Sequence, residues 1–198
     1  MKLVFASNNA HKLQEVRQIL PPQVQVISLN NVGFYHDIDE VGLTLEENST
    51  IKAQTVWEWL VKANKSNHVD GVFADDTGLE IEALNGAPGV ITARWAGPEA
   101  NDQANREKAL LSLEGQANRK AQFRTVITLI GNAHNLQVEG IVRGEIALQE
   151  EGLGGFGYDP VFIPEGYNKT FASLPAEVKN SISHRARAME ALRKCLES

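Results

Sequence analysis

Short apolar runs alternate with amphipathic stretches along the chain, and their order predicts an α/β fold. Leu3–Ala6 is an apolar run typical of a buried strand, and the polar loop Ser7–Asn9 follows it. Helical spacing then relates the apolar residues Leu13, Val16, Ile19 and Leu20. Pro21-Pro22 ends this helix, and Val24–Ile27 predicts a second strand. The order strand, loop, helix, strand is typical of α/β architecture. It places the Ser7–Lys12 loop at a helix N-terminus, where free N–H groups attract anions.

The rest of the pattern predicts further helices and a hairpin. Helices are expected over about residues 44–62, 101–113 and 184–196, and Thr44 with Glu47 fits a capping box. Apolar runs at Phe123–Ile130 and Leu136–Leu148 flank a turn at Gly131–Asn135, so they predict two antiparallel strands. A sheet that holds both crossover and hairpin connections is mixed, not purely parallel. Because no repeat or flexible linker interrupts the chain, we expect one domain, residues 1–198.

Two adjacent acidic residues, Asp75 and Asp76, follow the apolar run Val72–Ala74. The run is typical of a buried strand, and Thr77-Gly78 is expected to end it. Carboxylates at the end of such a strand lie where open α/β sheets bind their ligands. Aspartate is also common in turns, and on these residues alone a turn cap is the more ordinary explanation.

The composition narrows the classes of function. Of 198 residues, 42% are hydrophobic and 22% are charged, as in an ordinary globular protein. The formal net charge of -6 disfavours a general nucleic-acid-binding surface. The single cysteine, Cys195, excludes an intrachain disulfide and suits a reducing compartment. The first apolar run is too short for a signal peptide, and no stretch approaches the ~18 apolar residues of a membrane span. We therefore expect a cytoplasmic protein without membrane or nucleic-acid partners.

A glycine-rich segment, Gly152–Gly157, has the G-x-G-x-x-G spacing of dinucleotide-binding proteins. Asp159-Pro160 follows where a helix should begin, and proline disfavours helical geometry at the residue before it, so we reject that function. Phe156 and Tyr158 are aromatic side chains among glycines that allow a flat ligand to approach closely. A purine base is such a ligand, and its stacking on an aromatic ring is worth about 1–3 kcal/mol.

Charged residues elsewhere suggest a site for phosphate and metal. Taken singly, each of the cations Lys12, Lys52, Lys179 and Arg185 is an ordinary surface residue. Lys12 differs because Ser7–Asn9 just before it offers hydroxyl, amide and backbone donors, in the manner of a phosphate cradle. His184 beside Arg185 is either a helix-surface pair or a pair of donors for a ligand carbonyl. The acidic residues that could hold Mg²⁺ through oxygen atoms are Glu40, Glu46, Glu47, Asp75 and Asp76.

Five short segments occur in one order along the chain. They are Ser7-Asn8-Asn9-Ala10-His11-Lys12, Thr44-Leu45-Glu46-Glu47-Asn48, Ala74-Asp75-Asp76-Thr77-Gly78-Leu79, Gly154-Gly155-Phe156-Gly157-Tyr158-Asp159-Pro160 and Ser181-Ile182-Ser183-His184-Arg185. This set resembles the motifs [ST]-x-N-x-x-K, T-F-x-E-N-A, A-D-D-S-G-L, G-G-F-G-Y-D-P and S-x-S-H-R of the Ham1/inosine triphosphate pyrophosphatase family. Each motif alone is weak, but the ordered set covers essentially the whole chain and is highly specific.

The resemblance implies an activity, a cofactor and a fold. The reaction is hydrolysis of a nucleoside triphosphate to the monophosphate plus pyrophosphate, with Mg²⁺ as the cofactor. The substrates it implies are purine nucleotides with a 6-keto base (ITP, dITP, XTP and dXTP), whose removal keeps them out of DNA and RNA. The fold it implies is α/β, with a long mixed β-sheet flanked by helices in two lobes and the active cleft between them, usually as a homodimer.

The resemblance also implies roles for single residues. Asp76 matches the catalytic proton acceptor and a metal ligand, Glu40 matches the other metal carboxylate, and Glu47 and Asp75 are supporting or additional contacts. Substrate-binding positions on the triphosphate side are Ser7, Asn8, Asn9, Ala10, His11, Lys12, Lys52 and Thr77. Those on the nucleoside side are Phe156, Gly157, Tyr158, Asp159, Lys179, His184 and Arg185. Donors such as His184 and Arg185 would suit a 6-keto purine and leave the amino group of adenine unmatched.

Three positions depart from the family pattern. Thr77 stands in place of serine and keeps the hydroxyl, and Ser49 stands in place of alanine and keeps a usable backbone. Leu45 in place of phenylalanine removes an aromatic ring from a packing position. None of these changes puts the activity in doubt, although Thr77 could alter the rate.

Two other functions compete with this interpretation. One is a Maf-like pyrophosphatase acting on pyrimidine triphosphates, and the segments His184-Arg185 and Phe156–Asp159 favour purines over it. The other is a nucleotide-binding sensor without catalysis, and the joint presence of Lys12, Glu40 and Asp76 argues against it.

Overall fold

A computed structural model describes residues 1–197, so Ser198, the last residue of the predicted domain, lies outside the description. The strands are β1 (Lys2–Phe5), β2 (Gln25–Ser28), β3 (Gly71–Ile81), β4 (Pro88–Gly89), β5 (Lys120–Ile130), β6 (Asn135–Ile146) and β7 (Phe162–Pro164). The α-helices are α1 (Ala10–Ile19), α2 (Leu29–Val32), α3 (Leu45–Lys62), α4 (Asp102–Ser112), α5 (Ala176–Ile182) and α6 (His184–Glu197).

Among residues 1–197, seven strands form one sheet in the order β2-β1-β3-β5-β6-β7, with β4 paired to β3. Strand β1 runs parallel to β2 and to β3, whereas β4 is antiparallel to β3 and β7 is antiparallel to β6. The predicted hairpin between β5 and β6 is confirmed, and the Gly131 N–H donates to the His134 carbonyl at 2.8 Å in its turn. The prediction of an α/β fold with a mixed sheet is therefore confirmed.

Strand β3 runs further than the sequence pattern predicts. The prediction that Thr77-Gly78 ends the strand was wrong, because β3 continues to Ile81. Leu79 and Ile81 are both fully buried, so apolar residues on alternate positions carry the strand past the glycine. Asp75 and Asp76 consequently lie in the middle of a strand, and neither caps a turn.

The chain divides into two compact units, and the first consists of Met1–Asp76, Thr125–Gly140 and the segment that starts at Arg185. Successive side chains of a strand point to opposite faces of its sheet, and both faces of β1 and β3 are covered here. Phe5 and Phe73 stack with ring centroids 4.9 Å apart in a core that includes residues of α1 and α6. On the other face, Val4, Val72 and Ala74 pack with residues of α3.

The second unit consists of Thr77–Arg124 and Ile141–His184. Its core combines Leu79 and Ile81 of β3 and Phe123 of β5 with residues of α4, β6 and the segment 158–171. Strands β6 and β7 approach closely at Gly144, where a Cβ atom would overlap the Ile163 carbonyl. Glycine at this position therefore permits the pairing of the two strands.

The remaining helix predictions are confirmed with small differences in their bounds. Thr44 is the N-cap of α3 and accepts a hydrogen bond from the Glu47 N–H at 3.1 Å, whereas the Glu47 carboxylate accepts from Leu43 and not from Thr44. Trp57 and Trp59 on α3 are partly buried and pack against the core of the first unit. No helix in the described part of the chain is long and apolar enough to cross a membrane.

Candidate functional site

Asp75 and Asp76 point to opposite faces of β3, because they are neighbours on a strand. Both carboxylates are buried, with side-chain exposures of 0% and 9%. Burying a carboxylate is unfavourable unless it is paired or hydrogen-bonded. The partners that each face supplies therefore decide what each aspartate can do.

Asp75 is held between two cations of the first unit. Its Oδ1 lies 3.0 Å from the Lys12 ammonium, and its Oδ2 lies 3.0 Å from Nε of Arg185. Arg185, whose side chain is 2% exposed, also forms an ion pair with Glu15 through Nη1. Burial alone would raise the pKa of Asp75, but Lys12 and Arg185 outweigh burial and lower the pKa well below its ordinary value. Asp75 is therefore ionised, with both oxygens paired.

Asp76 shares a single cation with Glu40. The Lys52 ammonium lies 3.0 Å from Asp76 Oδ1 and 3.2 Å from Glu40 Oε2. Burial raises the pKa of Asp76, and Glu40 adds to the rise while Lys52 opposes it. Burial would lower the pKa of Lys52, but the carboxylates of Asp76 and Glu40 outweigh burial and raise it. The second oxygen of Asp76, Oδ2, is buried and has no hydrogen-bond partner among residues 1–197.

The two carboxylates predicted to bind metal thus converge on one positive charge, and within residues 1–197 Asp76 keeps a buried oxygen without a hydrogen-bond partner. Glu40 is 35% exposed at its side chain, so this pair can be reached from solvent. In the part of the chain described, no three His, Cys, Asp or Glu side chains are grouped to hold a metal. That donor set fits Mg²⁺, which is usually bound by one or two carboxylates together with substrate phosphates, and does not fit an all-protein metal cage.

The predicted phosphate loop lies between β1 and α1 in the first unit. Asn9 caps α1, since its side chain accepts a hydrogen bond from the Lys12 N–H at 3.0 Å, and the Asn9 N–H itself donates to Ser7 Oγ at 3.2 Å. Residues 8–11 are exposed, and the first turn of α1 carries no acidic side chain. A helix N-terminus of this kind favours an anion. Burial lowers the pKa of Lys12, and the nearby cations Lys52 and Arg185 lower it further.

The glycine-rich loop of the second unit is organised by Asp159. Its Oδ2 accepts hydrogen bonds from the Phe156 N–H at 2.8 Å and from the Lys179 ammonium at 2.6 Å. The same ammonium lies 4.8 Å from the centre of the Phe156 ring, within range of a cation–π contact. Gly155 has φ +73°, and a Cβ atom there would overlap the Asp159 carboxylate, so the loop requires glycine at this point.

Tyr158 and His184 lie deeper than their predicted roles suggest. The Tyr158 hydroxyl donates to the Thr92 carbonyl at 2.9 Å, and its ring, 3% exposed, lies edge-on to Phe123. Burial, with a contribution from Asp102, raises the pKa of Tyr158, so the hydroxyl stays a donor. His184 stacks on Phe123 at 4.6 Å. Tyr158 belongs to the hydrophobic core of the second unit, whereas Phe156 is only partly buried, so Phe156 is the more accessible aromatic ring of the loop.

The structure brings the sequence-predicted residues together in two sets. In the first unit, Lys12 and Arg185 pair with Asp75, and Lys52 pairs with Glu40 and Asp76. In the second unit, Phe156, Asp159 and Lys179 form one cluster, and Thr77 lies in β3. The Glu47 carboxylate accepts a hydrogen bond from the Leu43 N–H at 2.6 Å.

Three residues of these clusters escaped sequence reasoning: Glu15, Asp102 and Arg106. Glu15 pairs with Arg185 across 170 residues of sequence, and Asp102 and Arg106 bind Gly157 from more than 50 residues away. Charged residues at helical spacing are ordinary features of a solvent-facing helix, so nothing in the sequence distinguished them. The one available signal was the i, i+4 spacing of Asp102 and Arg106.

Comparisons with known proteins agree on one family. The model of the Ham1 family matches residues 3–195. The chain is 45% identical over 192 residues to a dITP/XTP pyrophosphatase of Flavobacterium johnsoniae, covering 97% of this chain and 96% of that protein. It is 48% identical over 193 residues to a dITP/XTP pyrophosphatase of Porphyromonas gingivalis, covering 97% and 95%.

Solved structures give the same result for the fold. The Ham1 protein of Staphylococcus aureus superposes with a TM-score of 0.84 at 39% identity, covering 100% of this chain and 98% of that one. A HAM1 protein of Coxiella burnetii superposes with a TM-score of 0.85 at 37% identity, with the same coverage.

Proposed function

The chain belongs to the Ham1 family, and from this premise we propose that it is a nucleoside triphosphate pyrophosphatase. Its substrates are non-standard purine nucleotides with a 6-keto base, namely ITP, dITP, XTP and dXTP, and the products are the monophosphate and pyrophosphate. Relatives named dITP/XTP pyrophosphatase support the substrate class. The observation that carries the proposal is the convergence of Glu40 and Asp76 on Lys52, with Asp76 Oδ2 buried and without a hydrogen-bond partner in the described part of the chain.

The chemistry assigned to these residues follows from their surroundings. Glu40 and Asp76 would hold Mg²⁺, which when bound neutralises phosphate charge. Asp76 orients a water molecule towards the α-phosphorus and takes its proton at Oδ2. The new bond joins the water oxygen to the α-phosphorus, and the bond from this phosphorus to the bridging oxygen breaks, so pyrophosphate leaves with the electron pair. Lys12 and Lys52 balance charge on the phosphates, and the 7–12 loop binds them through backbone and side-chain donors.

The nucleoside side is assigned to the second cluster. The Phe156 ring stacks on the base, and Asp159 with Lys179 holds that ring's segment in place. His184 and Arg185 remain the proposed source of donors to a 6-keto oxygen. A donor left unpaired against the amino group of adenine costs about 1–3 kcal/mol, which is enough to disfavour ATP.

The wider biology belongs to the same proposal. We place the enzyme in the cytoplasm as a homodimer, without membrane or nucleic-acid partners, and take residues 1–198 as one catalytic domain. Its role is to keep non-standard nucleotides out of DNA and RNA. The homodimer is checked by light scattering after gel filtration, where a mass near twice the 21.7 kDa of one chain is expected.

A substrate panel tests the function. The protein is incubated with Mg²⁺ and, separately, ITP, dITP, XTP, GTP, ATP and UTP, and monophosphate and pyrophosphate are quantified by chromatography. We expect equal amounts of monophosphate and pyrophosphate, with ITP, dITP and XTP preferred over GTP, ATP and UTP. Release of inorganic phosphate without pyrophosphate, or preference for UTP, contradicts the proposal, and binding without turnover indicates a sensor.

The variant Asp76→Asn tests the mechanism in the same assay. Because the amide cannot accept the water proton, we expect turnover to fall by at least about 10²–10⁴-fold, the usual contribution of general base catalysis. Circular dichroism checks that the fold is retained, since the change in shape is small. Near-normal ITP hydrolysis by this variant would remove Asp76 from its role.

A further inference from the structure

Helix α4 binds the backbone of the glycine-rich loop at one residue, Gly157. The Asp102 carboxylate accepts a hydrogen bond from the Gly157 N–H, with Oδ2 and N 2.9 Å apart. The Arg106 guanidinium donates to the Gly157 carbonyl, with Nη1 and O 3.0 Å apart. Asp102 and Arg106 are four residues apart on α4, so their side chains lie on one face of the helix. Both polar groups of a single loop residue are thus bound by one helix face.

Gly157 depends on these polar contacts because packing does not hold it. Its φ of +61° lies in the left-handed region that favours glycine, and apart from its two neighbours in the chain no described residue has an atom within 4 Å of the position a Cβ would take. The residue is also partly exposed. Without Asp102 and Arg106, water would take over its N–H and carbonyl, and the backbone would gain freedom at this point.

The α4 side of this contact is firmly anchored. Arg106 forms an ion pair with Glu150, with Nε and Oε1 3.0 Å apart, and its side chain is only 16% exposed. Ala109 and Leu113, which follow on the same helical segment, belong to the core of the second unit. Hydrogen bonds with one ionised partner are also about twice as strong as neutral ones. The helix is therefore a rigid support for a loop that is rich in glycine.

Phe156 directly precedes Gly157, so the backbone at Gly157 sets where the Phe156 ring lies. Before Phe156, residues 151–155 are exposed, and the Gly154 N–H donates a hydrogen bond to the Ala172 carbonyl at 3.1 Å. On the other side, Asp159 binds the Phe156 N–H, and Tyr158 is buried in the core. The contact with α4 completes the set of bonds that hold this ring.

We propose that Asp102 and Arg106 are positioning residues for base recognition, acting through Gly157 on the Phe156 ring without touching the nucleotide. This inference rests on the proposed function, since it takes Phe156 as the ring that stacks on the purine. It predicts a selective defect. Loss of the contact weakens binding of ligands that carry a base and leaves binding of pyrophosphate unchanged, because pyrophosphate has no base to stack.

The test compares Asp102→Ala and Arg106→Ala with a matched control on the same helix. Gln103 and Glu107 form an exposed i, i+4 hydrogen bond of 2.9 Å on α4 and do not contact Gly157 in any described bond, so Gln103→Ala with Glu107→Ala is the control. We expect KM for ITP to rise about tenfold in both Asp102→Ala and Arg106→Ala, as for loss of one charged hydrogen bond. The value of kcat and the inhibition constant of pyrophosphate should change by less than about twofold. The control should match the unmodified enzyme.

Two further variants separate positioning from general damage. Asp102→Asn keeps an oxygen acceptor and should restore a KM near that of the unmodified enzyme, while Arg106→Lys keeps the charge near Glu150 but loses the planar fork and should raise KM with the fold intact. In a Phe156→Ala background, Asp102→Ala should add no further rise in KM, because the ring it positions is gone.

The outcomes are distinguishable. If the unmodified enzyme turns over ITP but Asp102→Ala and Arg106→Ala leave KM unchanged, the positioning role is wrong and the proposed function stands. The same conclusion follows if the effect of Asp102→Ala on KM adds fully to that of Phe156→Ala. If pyrophosphate inhibition weakens in parallel with KM, the contact is merely structural. If the unmodified enzyme releases no pyrophosphate from any purine triphosphate, the proposed function and this inference both fail.

Discussion

Neighbouring residues in this chain have opposite electrostatic surroundings. The sequence showed two adjacent aspartates, but two identical side chains gave no reason to assign them different roles. The difference comes from the face of β3 that each one occupies. Asp75 faces Lys12 and Arg185, which come from distant parts of the chain, whereas Asp76 faces Lys52. These pairs depend on the packing of α1, α3 and α6, so no local pattern could have predicted them. The family motif alone assigned the metal and base to Asp76.

Asp75→Asn should unfold at markedly lower denaturant concentration than the unmodified protein. The change leaves the partly buried Lys12 without this anion and removes one of the two carboxylates that pair with the buried Arg185, and breaking a buried pair in this way costs about 3–5 kcal/mol. Urea denaturation followed by circular dichroism measures the loss. Asp76→Asn is the matched control, because Lys52 keeps its ion pair with Glu40 at 3.2 Å in that variant, and its loss of stability should be much smaller. Equal losses in the two variants would contradict this contrast.

The same pair predicts a specific dependence of stability on pH. The folded-state pKa of Asp75 lies below its ordinary value of 3.8, so its ionisation stabilises the fold fully above that value. As the pH falls from 3.8 through the lower folded-state pKa, this contribution is lost. The free energy of unfolding should therefore decrease more steeply below pH 3.8 for the unmodified protein than for Asp75→Asn. Parallel curves for the two proteins over this range would show that Asp75 is not the group concerned.

Substitution of Phe156 should affect nucleotide binding, whereas substitution of Tyr158 should affect stability. Phe156→Ala is expected to raise KM for ITP by about 5–150-fold, corresponding to the 1–3 kcal/mol of a stacked base, and to change the free energy of unfolding little. Tyr158→Phe removes the donor to the Thr92 carbonyl and should lower the free energy of unfolding by about 1–3 kcal/mol with KM unchanged. Steady-state kinetics and urea denaturation on both variants check this. A raised KM in Tyr158→Phe together with normal stability would instead indicate that Tyr158 contacts the nucleotide.

At the scale of elements, sequence reasoning succeeded where the signal is local. The cap at Thr44, the helix that follows it and the β5–β6 hairpin all rest on neighbouring residues, and all are confirmed. It failed at the end of β3, where a glycine was taken as a stop although buried partners continue the strand. Contacts between elements were not predictable at all. Ser49 of α3 and Thr128 of β5, 79 residues apart, have their hydroxyl oxygens within 2.8 Å.

This hydroxyl contact should fasten α3, and with it Lys52, to the sheet. Thr128 Oγ1 also accepts from Gln137 at 2.9 Å, so the pair belongs to a buried polar network. We expect Ser49→Ala and Thr128→Val each to reduce the free energy of unfolding by about 1–3 kcal/mol. The double variant should lose less than the sum, with a coupling of about 0.5–3 kcal/mol.

Urea denaturation of the two single variants and the double variant measures this coupling. Gln54→Ala, which removes an exposed contact to Glu58 on the same helix, should change stability by less than about 0.5 kcal/mol. Strict additivity of Ser49→Ala and Thr128→Val would mean that the two hydroxyls are energetically independent. Ser49 would then be a neutral replacement for the alanine usual in the family.

At the scale of the whole molecule, order along the chain carried more information than any one segment. The five motifs were each weak, yet their sequence of occurrence identified the family that the comparisons show. Folding then converts that linear order into contacts. Within the first unit, Lys12 of α1 and Arg185 of α6 meet at Asp75, and Lys52 of α3 meets Asp76 on the other face of β3. Contacts between residues that are distant in the sequence cannot be predicted from composition or from hydrophobic periodicity.

The negative net charge of the chain predicts weak binding to nucleic acids, because it acts over the whole surface. At -6, the chain should repel the phosphate backbone of nucleic acids, while a free nucleotide needs only the few cations near Asp75 and Asp76. We therefore expect no retardation of labelled DNA or RNA that contains inosine in gel-shift experiments at 0.15 M salt, and a dissociation constant weaker than about 10⁻⁴ M. Lowering the salt concentration should not produce binding, because the repulsion then extends further. A complex whose affinity rises steeply at low salt would contradict this expectation and would indicate a local basic surface despite the negative net charge. The ligands would then include bases already incorporated into nucleic acid as well as free nucleotides.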